Sequence, residues 1–267
     1  RSITEVTAFR QSHGSMLYLL PVAGLVIVAL YRLDPYKSDT NRVLEGIQSG
    51  TYVPLRMSPL IIISTVLTHA FGGSAGREGA ALQLGGSLGG TIGKWLKLDE
   101  YDQKVMIMCG MSAAFSALFG TPLTATIFAM EVVSIGIMEY AALVPCAIAS
   151  LIAREMADLV GARAEQFPVP ASVTLDIKSG ALIVLLALLC AAVSILFCEV
   201  LHRTERLFKS RMKNPWIRVV VGALLVIVLA KVLGTTDYLG AGMNIVERAI
   251  HGETEPAAFL LKIIFTA

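Results

Sequence analysis

Long hydrophobic runs separated by short polar stretches make up most of the sequence. Two of these runs, 105–130 and 179–198, contain no Asp, Glu, Lys or Arg. A helix of about 20 apolar residues crosses a bilayer, and the alternation typical of strands is not seen. We therefore predict about nine membrane-associated helices, several of them short enough to be tilted or broken. They lie at 15–31, 58–71, 79–96, 105–119, 122–135, 140–158, 179–201, 215–233 and 256–267, with a short polar helix at 40–48.

Composition supports this pattern. The chain has 267 residues, of which 55% are hydrophobic and 16% charged, and this balance argues against a water-soluble domain. The net charge of +2 gives no reason to expect nucleic acid as a partner. The fold class predicted is an all-α polytopic protein of the lipid bilayer.

A polar segment divides the chain into two membrane blocks. Residues 160–176 contain Pro168 and Pro170, so we interpret them as a linker between an N-terminal block, 1–159, and a second block, 177–267. The loop predicted after 179–201 is basic, which places it in the cytoplasm and the linker outside the cell. Its basic residues are Arg203, Arg206, Lys209, Arg211 and Lys213.

The predicted helix at 79–96 is rich in glycine. Gly85, Gly89 and Gly93 form a stripe at four-residue spacing, and Gly86 and Gly90 form a second one. Each glycine in a helix interior costs about 1 kcal/mol relative to alanine. In a membrane such stripes allow a second helix to approach closely, so we predict tight packing on this helix.

Two adjacent charges interrupt the uncharged region before that helix. In "GGSAGREGAALQLGG", residues 72–86, Arg77 and Glu78 stand between glycines. Glu78 falls at a predicted helix N-terminus, where exposed amides and the helix dipole attract anions. A carboxylate tethered there can occupy the anion position itself and leave when protonated. The alternative is a solvated surface loop in which Arg77 and Glu78 pair; a nucleotide loop is excluded because no Gly-Lys-Ser/Thr follows.

Glu131 is a second isolated acid. It ends a predicted helix that starts with Thr121 as N-cap and Pro122 in the first turn. Glu131 is a candidate for a proton path, and pairing with a neighbouring cation at an interface is an equally good interpretation.

The other polar side chains indicate no enzyme, cofactor or metal site. The four histidines are widely separated, and we expect His69 to be a hydrogen-bonded packing residue. Ser112 and Ser116 lie on one helix face, where we expect bonds to backbone carbonyls. The cysteines have no metal-binding spacing and are expected in the core or facing lipid. They are Cys109, Cys146, Cys190 and Cys198.

The stretch "GGSAGREGAALQLGG", followed by "GMSAAFSALFGTPLTATIFAMEVV", closely resembles the CLC family of chloride channels and anion/proton antiporters. The specific match covers 72–134, and a weaker match in helix pattern extends over nearly the whole chain. The resemblance implies an inverted-repeat bundle of tilted and broken helices. It also implies a homodimer, with 122–135 and 140–158 at the dimer interface, in the inner membrane of a bacterium.

The resemblance also implies roles for single residues. Glu78 would be the external gating glutamate. The anion pathway would pass its motif neighbours Gly76, Arg77, Gly79 and Ala80. The implied function is transport of chloride or another halide, as a channel or in exchange for protons.

The chain departs from the family pattern upstream of this motif. The family's glycine-serine-glycine anion motif is replaced by "KSDTNRVLEGI". An aspartate beside an anion would repel it, so we assign Asp39 or Thr40 as a helix cap and Asn41 as the polar contact with the ion. Thr40 and Asn41 are retained as residues of the anion pathway.

Two further departures bear on function. The internal proton-transfer glutamate of the antiporters aligns with Val132, a substitution that resembles channels and the fluoride-exporting bacterial branch. Fluoride/proton antiport is therefore a second hypothesis. The family's second anion-binding loop and pore tyrosine would lie beyond Ala267, so a fragment, or a non-conducting truncated subunit, is a third expectation.

Overall fold

The computed structural model describes residues 6–7, 9–10, 12–33, 55–132, 138–162, 164, 176–255 and 257–267. These residues form helices and turns and contain no strand. The α-helices are α1 (Leu20–Leu33), α2 (Met57–Ala70), α3 (Glu78–Trp95), α4 (Glu100–Phe119), α5 (Pro122–Glu131), α6 (Leu143–Leu159), α7 (Ile177–Arg211), α8 (Pro215–Leu233), α9 (Met243–Ile250) and α10 (Ala258–Thr266). Short 3-10 helices, Gly14–Leu19 and Tyr140–Ala142, lead into α1 and α6.

Local sequence signals explain where several helices begin and end. The Asp99 carboxylate caps α4 by accepting the backbone N–H of Asp102 at 2.8 Å. α4 then stops at Gly120, which has a φ of 70° that a residue without a side chain adopts at little cost. Asp176 caps α7 in the same way, and its hydrogen bonds with Ser179 lower the pKa of the Asp176 carboxyl from its ordinary value.

α7 is longer than the sequence predicts. The expected segment 179–201 continues as helix to Arg211, so the basic residues expected in a loop lie on the helix, apart from Lys213. Salt bridges one turn apart join Glu199 to Arg203 at 2.6 Å and Glu205 to Lys209 at 2.5 Å. Such pairs stabilise a polar helix surface, which explains why the helix continues beyond its apolar residues.

Other boundaries also differ from expectation. α5 ends at Glu131, with Val132 as its C-cap, and the Thr121 side chain makes no capping hydrogen bond although Thr121 is the N-cap residue. The hydrophobic pattern does not predict α9, because three of its eight residues are polar and interrupt its apolar positions. The helix expected at 40–48 lies outside the described residues.

The described residues group into two compact units. The first takes its residues from Arg1–Phe9, Ala29–Ala70 and Gly76–Gln166. Its core is an apolar cluster built by α2, α4, α5 and α6 around Met57, Met108 and Met130. The division of the sequence into two repeats and a linker stays a prediction.

α3 packs against α4 in the first unit through glycines. A Cβ on Gly85 would overlap the carbonyl oxygen of Gly110, and one on Gly89 would overlap that of Met106. Gly93 is less crowded, since its nearest neighbour would be the Met106 Cβ at 3.4 Å. The predicted close approach is therefore confirmed at Gly85 and Gly89.

The second unit comprises Arg10–Val28, Phe71–Ala75 and Phe167–Ala267. α1 and α8 approach closely in it, because a Cβ on Gly24 would lie 2.7 Å from a methyl group of Val219. Its apolar core includes Leu17, Ile227 and Phe265.

Within the described part of the chain, four helical stretches are long and apolar enough to cross a bilayer: Gly14–Leu33, Tyr140–Leu159, Ile177–Arg211 and Pro215–Leu233. Every residue from 181 to 196 in the apolar part of α7 is exposed. In water this surface would be unfavourable, whereas lipid tails cover it without cost. The chain is an integral membrane protein.

Substitution of Gly89 by alanine tests the glycine contact. Gly89→Ala should lower the free energy of unfolding in detergent by about 1–3 kcal/mol, because its methyl group meets backbone that cannot turn away. Gly222→Ala in α8 is the matched control, since no heavy atom lies within 4 Å of its added carbon. That variant should be neutral or stabilised, and equal losses in the two variants would contradict the packing described.

Candidate functional site

Glu78 is the first residue of α3, as the sequence predicts. Its side chain turns back, so that Oε2 accepts a hydrogen bond from the backbone N–H of Arg77 at 3.0 Å. The carboxylate lies directly against Gly76, where a Cβ would otherwise stand. Glu78 is half-buried. The carboxylate is thus held by an amide beside the helix start rather than projecting freely.

The first turn of α3 offers further amides. The N–H groups of Glu78, Gly79 and Ala80 have no acceptor within the helix, because the first turn of any α-helix lacks one. Gly79 is exposed, and no described heavy atom lies within 4 Å of the position its Cβ would take. The turn therefore combines donors, the positive end of a helix dipole and open space, which suit a small anion.

A buried hydroxyl pair connects α3 to α2. Ser58 and Ser87 are within hydrogen-bonding contact, and both are almost completely buried. One turn further on, the Thr91 hydroxyl donates to the backbone carbonyl of Ser87 at 2.8 Å. The Ser58–Ser87 contact with α2 and the glycine contact with α4 hold α3 from two sides and fix the direction of its N-terminus.

The serines of α4 bind the backbone of α6. Ser112 donates to the carbonyl of Cys146 at 3.1 Å, and Ser116 donates to that of Ser150 at 2.7 Å. The Thr126 hydroxyl of α5 lies 3.0 Å from the Ser150 hydroxyl. The prediction of bonds to backbone carbonyls is confirmed, although the carbonyls belong to a neighbouring helix. The network positions the short helix that carries Glu131.

Glu131 is exposed at the C-terminal end of α5. Val132 follows it and packs, partly buried, on the apolar cluster of the first unit. The hydrophobic residue thus turns inward and the acid outward. A part in proton movement stays a prediction for Glu131.

The residues predicted for the anion pathway fall into two groups, one at the start of α3 and one outside the described part of the chain. Gly76, Arg77, Glu78, Gly79 and Ala80 lie together at the start of α3, the first two before the helix and the last three in its first turn. The residues expected upstream lie outside the described part of the chain. They are Asp39, Thr40 and Asn41.

The other polar candidates are structural. His69 is buried, with Nδ1 2.8 Å from the carbonyl oxygen of Thr65, which confirms its packing role. Cys109 and Cys146 are buried, whereas the two cysteines of α7 are exposed. Within the described ranges, no group of three or more His, Cys, Asp or Glu could hold a metal ion.

Residues 22–267 match the model of the voltage-gated chloride channel family. The chain belongs to this family. The resemblance found in the Glu78 motif is thereby confirmed, together with the membrane-embedded, all-helical fold.

Individual members of the family are also similar. A chloride/fluoride channel protein of Pseudomonas syringae pv. tomato is 31% identical over 99% of this chain and 61% of its own length. The crystal structure of a CLC-type fluoride/proton antiporter matches with a TM-score of 0.91 and 33% identity, over 99% of this chain and 68% of that one. A slow cyanobacterial chloride/proton antiporter matches with a TM-score of 0.71 at 17% identity, which shows the fold alone. The chain thus spans about three fifths of the curated relative.

The sequence reasoning missed two groups of polar residues in this family member. The pair Ser58 and Ser87 has no distinguishing pattern, since serine is common in membrane helices. Lys262 was detectable: it is the one charge in "AAFLLKIIFTA", and an isolated charge in an apolar run has a functional or structural partner.

The contact between Gly76 and Glu78 gives a structural prediction. Gly76→Ala should displace the Glu78 carboxylate from the Arg77 N–H, because the new methyl carbon would lie only 2.5 Å from Oε2 and overlap it. Gly79→Ala is the matched control, with open space around its added carbon. High-resolution structures of the two variants would test this. A carboxylate that still accepts the Arg77 N–H in Gly76→Ala would show that the contact does not determine its position.

Proposed function

We propose that the protein transports a small anion, chloride or fluoride, across the membrane along a pathway gated by Glu78. The observation that carries the proposal is the hydrogen bond from the Arg77 N–H to the Glu78 carboxylate at the start of α3. The carboxylate accepts one amide N–H beside the first-turn amides of α3, a position that also suits a mobile anion. An ion and the side chain would compete for that position.

The amides suit transport because their charges are partial. A transported ion must bind well enough to enter and weakly enough to leave. A full lysine or arginine charge in the same place would hold a halide more firmly than a row of N–H dipoles does. Protonation of Glu78 would remove its negative charge, and with it the attraction that keeps the side chain in the anion position.

Exchange of fluoride for protons is the more specific form of this proposal. The support is that the 31% and 33% identical relatives bear the names chloride/fluoride channel and fluoride/proton antiporter. The hydrophobic Val132 after Glu131, and the absence of the usual upstream serine motif, favour the same branch. Chloride transport is the alternative within the family.

We also propose a homodimer in the inner membrane of a bacterium. The apolar side chains Leu123 and Ile127 of α5, and Val144, Ile148 and Ile152 of α6, are exposed. These surfaces would face either lipid or a second copy, and the resemblance to the family favours the copy. No enzymatic activity is proposed.

Replacement of Glu78 by glutamine tests the gate. In liposomes, wild-type halide efflux should accelerate as the pH falls, because protonation releases the carboxylate. Glu78→Gln carries a neutral side chain of the same size, so its efflux should no longer depend on pH. Efflux measured with a halide electrode between acidic and neutral pH gives the comparison.

The matched control is Glu155→Gln, which removes an exposed acid from α6. It should retain the wild-type pH profile. If Glu78→Gln also retains that profile, Glu78 is not the gate.

A second transport experiment addresses Glu131. If Glu131 lies on the proton path, Glu131→Gln should reduce coupled proton uptake by about tenfold or more while anion efflux continues. Proton uptake and efflux of fluoride or chloride are recorded together, so the assay also determines which halide is carried. Proton uptake at the wild-type rate would leave Glu131 as an exposed acid without a transport role.

A further inference from the structure

Two basic residues from distant parts of the chain meet in the second unit. Arg10 is only 6% exposed, and Lys262 lies on α10. Both border the same two loops, Phe71–Ala75 and 238–242. All these residues belong to the second unit.

Lys262 is fully hydrogen-bonded, but only to neutral oxygens. Its ammonium group donates to the Ser74 hydroxyl at 2.7 Å and to the carbonyls of Tyr238 at 3.0 Å and Gly240 at 2.6 Å. An ammonium group has three N–H bonds, and all three are used. Lys262 therefore ties the two loops together without its charge being neutralised.

Arg10 differs from Lys262 in this respect. Its Nη1 is buried and has no hydrogen-bond acceptor among the described residues. The same atom lies 3.2 Å from the Cβ position of Gly72 and 3.6 Å from that of Gly240. Both glycines have positive φ, +88° and +69°, so side chains are disfavoured at these two points. The guanidinium group thus faces two stretches of backbone that carry no side chain.

No described carboxylate balances these two charges. Asp237, next to the loop at 238–242, is paired with Arg248 at 2.6 Å on the exposed side. None of the salt bridges among the described residues involves Arg10 or Lys262. An arginine cannot become neutral by losing its proton, and a buried charge without a partner is strongly unfavourable.

We propose that Arg10 binds a small monovalent anion, chloride or fluoride, between these two loops. The site supplies one guanidinium fork, because Lys262 has no donor left. Its apolar neighbours Leu17 and Leu239, whose methyl carbons lie 3.1 and 3.4 Å from the Gly72 Cβ position, disfavour large or multiply charged anions. The bound ion neutralises the charge of Arg10, reduces its repulsion with Lys262 and stabilises the second unit. This inference does not depend on the proposed gate.

Thermal unfolding in detergent tests the site. Sodium chloride or sodium fluoride replaces sodium gluconate at constant ionic strength, so only the identity of the anion changes. The unfolding temperature of the wild type should rise by about 3 °C for each tenfold increase in halide above the dissociation constant. An unfolding temperature independent of both halides would overturn the proposal.

Variants locate the effect at Arg10. Arg10→Gln should lose this dependence, whereas Arg206→Gln, which removes an exposed arginine from α7, should keep it. Halide bound at the Glu78 turn contributes to both variants equally, so their difference isolates the Arg10 site. Equal halide dependence in the two variants would refute it.

A charge-conserving variant covers the case in which Arg10→Gln does not fold. Arg10→Lys keeps the charge but lacks the planar fork. It should need about tenfold more halide than the wild type to reach the same gain in unfolding temperature. An unchanged halide requirement would show that the guanidinium does not bind the ion.

Discussion

The groups at the start of α3 have a defined position because α3 and α4 pack backbone to backbone. At Gly85 and Gly89 the approach leaves no room for even one methyl group. In a membrane, the apolar tails of lipids provide no hydrophobic force that drives helices together, so close packing and buried hydrogen bonds do this work. The Ser58–Ser87 contact holds α3 against α2 on its other side. An amide-lined anion position requires this rigidity, because amides that moved with the ion would lose their advantage over water.

The rest of the Glu78 turn follows from that support. Glycines at 76 and 79 leave the backbone bare on both sides of the acid, and the carboxylate folds onto one of them. A larger residue at 76 would push the side chain away, and one at 79 would fill the open space before the helix. The glycines of the motif therefore leave room around Glu78. Gly76 lets the carboxylate fold back against the backbone, and Gly79 leaves open space at the helix start.

The sequence predicts those parts of the molecule that depend on local patterns. A charge between glycines before an uncharged helix was sufficient to place Glu78 at a helix start, and the glycine spacing predicted the contact face of α3. The end of α7 was misplaced because hydrophobicity stops near 201, whereas ion pairs carry the helix to Arg211. The juxtaposition of Arg10 and Lys262 could not be predicted, because no local pattern relates residues from opposite ends of the chain.

The two anion positions proposed for this chain differ in the kind of charge they offer, and the difference matches what each would have to do. At the Glu78 turn, the donors are backbone amides and the nearest acid competes with the ion, so occupancy is easily reversed. At Arg10, a full charge is buried against apolar side chains and no described acid competes. An ion bound there would exchange slowly and act as part of the structure. A protein that handles halides can thus use dipoles where the ion must leave and a guanidinium where it must stay.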